Sequence, residues 1–486
     1  LGTLDDIKDI LRGALAALGG FGGRMLARLV LILTAGQLYG AEAFGILGQI
    51  AAITEITAAI ATLGLRRSLL DYLSANLDNE EAIAATIKNA LLSSLILATA
   101  LSAILGIAWP YLFHDLPMPV ILYFSVPAIV FAEVAGTAIR FKRIIRWEVI
   151  GRYIMEPWFF LAAALLFYYQ GMLTLGILIA YSISHLAAAI GIAKGLSETI
   201  GIKRILTARI TRQSLYQLPL KSLPVGMTDL GVMMFRRIDI LVLSIMVSHE
   251  VTGIYYMAQQ LVTVPHKIHQ LFEPMMSPVI AKLHHELKSE AIAAKMEGLC
   301  RWVFTFQVAI TVPFMVFAGH LLGLFGDQFA AGATVLVLLL IAELFDGSFA
   351  LTETPLVFAR PSTPLKLIIM TLLIEVPAVA GLSHLWGMEG AAAGFLIAMV
   401  SLTSTRLFML NKHLDIQVLT RAFIKPVFFA VLVGSLLVTA TQYIPMEQGY
   451  IFGPAIFLAI ALFLGLIRLL ALTPGDKDII QQLRVG

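Results

Sequence analysis

The chain has 486 residues, of which 59% are hydrophobic and only 13% charged, and its mean hydropathy is +0.88. A soluble domain carries about twice that share of charge, so a globular protein with one anchor is excluded, and a net charge of +3 offers no footprint for nucleic acid. Cys300 is the only cysteine, which excludes an intrachain disulfide and a cysteine-based metal site.

Crossing the hydrocarbon takes about 20 helical residues, and fourteen apolar stretches meet that length. In chain order they run roughly over 13–38, 43–66, 86–109, 119–140, 147–169, 172–193, 216–246, 250–281, 298–320, 331–357, 364–384, 388–410, 422–443 and 450–471. Their connections alternate in charge. Those near 39–42, 110–118, 170–171, 247–249, 321–330, 385–387 and 444–449 hold no Lys or Arg. The other set holds Arg66 and Arg67, the cluster from Arg140 to Arg152, the run from Lys194 to Arg212, and further cations on to Lys425. By the positive-inside rule this second set and both termini are cytoplasmic. The predicted fold is therefore all-α and polytopic, with about 14 transmembrane helices. The connections 67–85, 194–215 and 282–297 are long enough to form amphipathic helices at the membrane surface.

An internal repeat is visible at an offset of 208 residues. Glu42, Gly45 and Ile46 recur as Glu250, Gly253 and Ile254, and Arg28 falls on Arg236. An offset of six helices preserves orientation, so the halves are read as two parallel six-helix lobes followed by two C-terminal helices, a transporter architecture. The boundaries read as 1–193 for the first lobe, 194–215 for a cytoplasmic linker, 216–410 for the second lobe, and 411–486 for the last two spans and tail.

Of the 34 Lys and Arg residues, 29 fall in the cytoplasmic connections and tails or toward the span ends that adjoin them, and five lie deeper within spans: Arg24, Arg28, Arg236, Arg237 and Lys267. A cation at bilayer depth costs about 2.5–3.5 kcal/mol on insertion scales, so these five need a reason. Arg24 and Arg28 are spaced to share one face of the first helix. Gln260, Thr263, Lys267 and Gln270 form one polar stripe along the eighth, where Pro265, Pro274 and Pro278 could bend the helix. Glu55 sits near the centre of the second helix and Asp239 beside the arginine pair. Two explanations compete. Structurally, Arg24 or Arg28 pairs with Glu55, and Arg236 or Arg237 with Asp239. Functionally, the lobes face each other and Arg24, Arg28, Glu55, Arg236, Arg237, Lys267, Gln260 and Gln270 line one central cavity for an anion such as phosphate or pyrophosphate, which arginine forks match. Five cations against one central carboxylate leave a surplus that favours the second. Asp229, Asp239 and Glu375 are candidates for coupling to H⁺ or Na⁺; no resident metal and no cofactor is expected. His185, His266 and His269 read as hydrogen-bonded packing residues.

Two stretches resemble the multidrug/oligosaccharidyl-lipid/polysaccharide exporter superfamily. One runs from Arg28 through Gly40, Phe44 and Gly45 to Leu63-Gly64-Leu65. The other runs from Arg237-Ile238-Asp239-Ile240-Leu241 through Gly253, Tyr255 and Ala258 to Pro274 and Pro278. Within the superfamily the chain is similar to polysaccharide-type flippases and, more distantly, to lipid II flippases, whose first-helix arginines Arg24 and Arg28 match by position. The resemblance implies a bacterial inner-membrane protein that moves an undecaprenyl-pyrophosphate-linked oligosaccharide to the outer leaflet by alternating access, with glycosyltransferases or a polymerase as partners. The alternatives are a multidrug or other small-molecule antiporter of the same fold and, remotely, a membrane glycosyltransferase or polymerase. A pump for organic cations calls for a carboxylate-rich site, against the charge found here. An enzyme calls for residues gathered on the outer face, where only short turns lie.

Overall fold

A computed structural model describes residues 4–75, 79–112, 122–144, 146–210, 212–285, 289–360, 362–443 and 449–472. Side chains are described for these residues except 4–27, 112, 122, 212–214, 271–279, 281–285, 289–291 and 449–451. The described residues are almost wholly helical and contain no strand. In hydrocarbon this is what the backbone requires, because a helix satisfies its own N–H and C=O groups without water.

The chain divides into two compact units, residues 1–244 with 248–253, and residues 245–247 with 254–486. The first unit opens with α1 (Leu4–Thr62), α2 (Leu65–Ser74), α3 (Glu80–Leu112) and α4 (Leu122–Phe141). Short α5 (Arg146–Glu148) leads through a π-helical turn, Val149–Met155, into α6 (Glu156–Tyr169). Then follow α7 (Thr174–Thr199), α8 (Ile202–Thr207), α9 (Arg212–Phe235) and α10 (Ile238–Met246). Helix α11 (His249–His285) begins in the first unit and continues into the second. The second unit adds α12 (Ser289–Val316), α13 (Ala318–Gly323), α14 (Ala333–Phe349), α15 (Glu353–Ala359), α16 (Thr363–Leu414), α17 (Ile424–Tyr443) and α18 (Gly449–Leu466).

Helical segments lie at every one of the predicted spans, and among the described residues ten stretches are long and apolar enough to cross a bilayer. Two of these ten each take in two predicted spans. The connection near 39–42 is a kink within α1, at Gly40 with φ 78°, and that near 385–387 is a kink within α16, at Trp386 and Gly387. Gly40 and Gly387 supply the positive φ that a side chain would oppose. The helices α9, α10 and α11 fall outside the ten. They occupy the predicted seventh and eighth spans, and they carry Lys221, Asp229, Arg236, Arg237, Asp239, His266 and Lys267.

Within the first unit, α2 forms the surface helix expected after the second span. Leu65, Leu69 and Leu73, spaced by four, are buried against Ile83 and Ile87 of α3, Ile139 of α4 and Leu196 of α7. Hydroxyls tie the long helices together: Tyr39 donates to the Ala164 carbonyl at 2.6 Å, Thr54 meets Tyr181 at 2.9 Å, and Ser125 donates to Ser182 at 2.9 Å. In the second unit α17 and α18 close on α12, where Phe429, Val433, Ala459 and Phe463 pack on Val308 and Ala309.

The repeat has a structural counterpart. A Cβ on Gly45 would lie 2.8 Å from the Gly253 amide nitrogen and inside contact distance of the His249 carbonyl oxygen. A Cβ on Gly253 would lie 2.8 Å from the Gly45 nitrogen and press on the Ala41 carbonyl oxygen in the same way. Adding 208 to 45 and 41 gives 253 and 249, so each glycine meets the repeat equivalent of what the other meets. No side chain fits, and the two backbones touch. Overpacking typically costs about 1–3 kcal/mol. Gly45→Ala and Gly253→Ala should each lower the melting temperature of the purified protein, and the double variant should lose less than the sum, because either methyl alone already separates the backbones. Additive losses in thermal unfolding would show that the two glycines are independent.

Candidate functional site

The helix predicted over 216–246 is not continuous. Hydrogen bonding tightens at Arg236, whose N–H is shared between the Val232 and Met233 carbonyls at 3.2 Å, and Arg237 N–H reaches the Met234 carbonyl at 2.9 Å. α9 ends there and α10 restarts at Ile238. Both arginines thus stand in the turn between the C-terminal end of α9 and the N-terminal end of α10, whose dipoles act on a cation in opposite senses. Arg236 is exposed, and Arg237 is half-buried.

Arg237 reaches across 182 residues of sequence to Glu55 of α1. Its Nε donates to Oε2 at 2.8 Å and its second terminal nitrogen to Oε1 at 3.2 Å. This two-pronged geometry is the strongest form of carboxylate pairing. The side chains are 20% and 28% exposed, so the pair is largely removed from solvent without being sealed. Asp239 is fully buried and its carboxylate accepts the N–H of Ile240 at 2.8 Å. Arg28 is half-buried on α1, while Arg24 lies within 4–27, outside the described side chains.

A second group of charges joins α2, α4, α9 and the π-helical turn. Asp229 of α9 lies 2.8 Å from Arg67 and 3.7 Å from Arg66. Arg66 also lies 3.8 Å from Glu133 of α4, and Glu133 accepts a hydrogen bond from Arg152 at 2.9 Å. The π-helical turn places Arg152 in the same unit as Glu133, and such irregular turns recur at functional positions. Beside this group α2 touches α9 directly. Gly64, with φ 78°, would drive a Cβ against the Gly226 backbone, and the Ser68 hydroxyl donates to Ser222 at 2.7 Å. Asp229, predicted for cation coupling, is thus the partner of two arginines.

In the second unit the polar stripe of α11 is a hydrogen-bonded chain. Lys267 Nζ donates to Gln270 Oε1 at 2.7 Å, and the Gln270 amide nitrogen lies 3.3 Å from His266 Nε2. His266 Nδ1 lies 2.9 and 3.0 Å from the two oxygens of Glu343 on α14. Gln307 of α12 donates to Glu343 at 3.3 Å and accepts from Ser348 at 2.7 Å. Gln260 is buried one turn earlier, with Thr263 donating to its carbonyl at 2.5 Å. Glu375 is fully buried on α16. Arg406, also buried, lies 3.4 Å from both Asp346 and Glu353.

Thus the structure joins Glu55 with Arg237, and Lys267 with Gln270. Sequence reasoning did not find the Glu55–Arg237 partnership, the break at 236–237 or the His266–Glu343 pair. Ten long apolar stretches among the described residues, with charges paired between helices, define a multi-pass membrane protein. Solved structures with this fold include the lipid II flippase MurJ in an inward-closed conformation (TM-score 0.74, 14% identity, 93% of this chain and 98% of that one). They also include an inward-facing multidrug resistance transporter of the MATE family (TM-score 0.64, 16% identity, 81% and 94%). A third is a transporter of the MOP superfamily from Pyrococcus furiosus (TM-score 0.55, 16% identity, 84% and 95%). Comparison with curated protein sequences gave no match. Residues 10–284 match the family described as polysaccharide biosynthesis protein, and the chain belongs to that family.

Removing one member of a largely desolvated ion pair leaves the other charge exposed to low dielectric. Glu55→Ala and Arg237→Ala should each destabilise the protein more than Glu55→Ala/Arg237→Ala does, with a coupling of about 1–3 kcal/mol in a double-mutant cycle of thermal unfolding. Strictly additive losses would show that the pair contributes no coupling.

Proposed function

We propose that the chain is a flippase for an anionic lipid-linked oligosaccharide of the undecaprenyl-pyrophosphate type, moving the headgroup from the inner to the outer leaflet by alternating access. The observation that supports it most is the presence of Arg28, Arg236, Arg237 and Lys267 within stretches whose sequence reads as spans, in a member of a polysaccharide biosynthesis family. Each such cation costs about 2.5–3.5 kcal/mol to place there, and a pyrophosphate carried through the same depth needs that charge opposite it. In this reading Arg24, Arg28, Arg236 and Lys267 contact phosphate oxygens. Glu55 holds Arg237 until the headgroup competes for its guanidinium, and Gln260 and Gln270 offer amides to sugar hydroxyls. Asp229, Asp239 and Glu375 are the proposed groups for coupling to H⁺ or Na⁺. The proposed location is the bacterial inner membrane with both termini cytoplasmic, the proposed reaction makes and breaks no covalent bond, and the proposed partners are the glycosyltransferases or polymerase of the same polysaccharide.

A charge-assisted hydrogen bond contributes about 1.5–3 kcal/mol, so losing one phosphate contact should slow export by about tenfold or more. Arg24→Ala, Arg28→Ala and Lys267→Ala, each confirmed to insert in the membrane at the normal level, should reduce surface polysaccharide to that extent. Full export by every single and paired variant would remove these residues from the site. Transport of a cationic dye into vesicles, undiminished by loss of the arginines, would instead support a multidrug antiporter.

A further inference from the structure

The buried end of the Lys267 chain has chemistry that headgroup binding does not use. His266 and His269 are spaced by three on α11, so they leave the helix on one face, and Glu343 meets them from α14. All three are buried, and one donor atom from each lies within 4.8 Å of the other two. The imidazole rings stand 4.6 Å apart, edge to face at 76°. We propose that His266, His269 and Glu343 form a binding site for one divalent transition-metal ion of the zinc class.

The donor set selects the ion. Two imidazoles with one carboxylate suit borderline cations such as Zn²⁺. Mg²⁺ and Ca²⁺ require a shell of oxygens that one carboxylate between two rings does not provide. The spacing is also close to what an ion demands. Two donors bonded at about 2.0–2.1 Å to one tetrahedral ion lie about 3.4 Å apart. His266 Nδ1 is already 2.9 and 3.0 Å from the carboxylate oxygens, so these two donors need to open by only a few tenths of an ångström. The third donor, on His269, lies within 4.8 Å of the other two.

The surroundings hold these donors in the manner of a metal site's outer layer. Gln307 donates to Glu343 at 3.3 Å and is itself fixed by Ser348 at 2.7 Å and by its own contact at 3.2 Å with the Pro265 carbonyl. The far nitrogen of His266 meets Gln270 at 3.3 Å, which sets the ring's orientation. A metal on Nδ1 places the proton on Nε2, and the Gln270 amide then turns its oxygen from Lys267 to accept it. Glu343 supplies one negative charge, so a divalent ion here leaves the cluster with a net positive charge. Three protein donors leave a fourth position for water or an anion.

The test uses the full-length protein in detergent, stripped with a chelator and titrated with Zn²⁺ alone by calorimetry, then with Co²⁺ as a spectroscopic probe. The wild type should bind one equivalent of zinc, and its cobalt form should show the intense visible absorption of a four-coordinate ion. His269→Ala and Glu343→Gln should each weaken zinc binding by more than about tenfold, since even outer-layer partners of metal ligands contribute 10–100-fold. Glu343→Gln keeps an acceptor for Gln307, and His269→Gln serves as a second variant if a substitution disturbs folding, which gel filtration reports. Equal zinc affinity in the wild type and His269→Ala, or the weak absorption of six-coordinate cobalt, would overturn the site. Either result would leave a His–Glu hydrogen bond with a packing role only.

Discussion

Glu55 and Arg237 are both charged groups on helices bound for hydrocarbon, and neither is tolerable there alone. Moving an ion from water into a medium of low dielectric carries a penalty of several kcal/mol even after relaxation. The two-pronged contact at 2.8 and 3.2 Å offsets it for both partners at once. Much of the first unit is arranged consistently with this pairing. The break between α9 and α10 frees Arg237 from the helical path, and the kink at Gly40 carries α1 on into the stretch that holds Glu55. The same constraint recurs at Asp229 with Arg66 and Arg67, at Glu133 with Arg152, and in the second unit at Arg406 with Asp346 and Glu353. At each of these positions a charge on one helical segment meets a partner from another.

The architecture was legible because bilayer thickness and backbone satisfaction act on composition alone. Runs of about 20 apolar residues can only be helices, and the 208-residue offset was carried by identical residues at identical steps. A helix in the connection after the second span was expected from the length of 67–85, and α2 lies at its start. The charged partners were not legible in the same way. Adjacent arginines on an ideal helix point about 100° apart, and nothing local indicates that the chain departs from the ideal at Arg236, so Asp239 two residues on looked like a nearer partner than Glu55. Three-dimensional pairing over 182 residues leaves no period in the sequence. His266 and His269 were visible as a spacing of three, but Glu343 stood among many intramembrane acids with nothing to single it out.

Family membership and fold agree without being the same statement. The match over residues 10–284 ties the chain to polysaccharide biosynthesis, whereas likeness to flippase and drug-transporter structures at 14–16% identity speaks for shape alone. One scaffold is thus shared by structures described as a lipid II flippase and as a multidrug resistance transporter. On the function proposed above, arginine and lysine beside neutral amides are what would suit this copy of the scaffold to an anionic cargo.

The exchange between Gly45 and Gly253 limits what either position can hold. Two glycines that each press on the other's counterpart carbonyl make a self-complementary contact, the kind that forms about a twofold axis between two copies of one chain. A side chain at either position would meet backbone, which has no rotamer to turn away through, so the helices would have to part. Two positions 208 residues apart are thus held to glycine by a single contact.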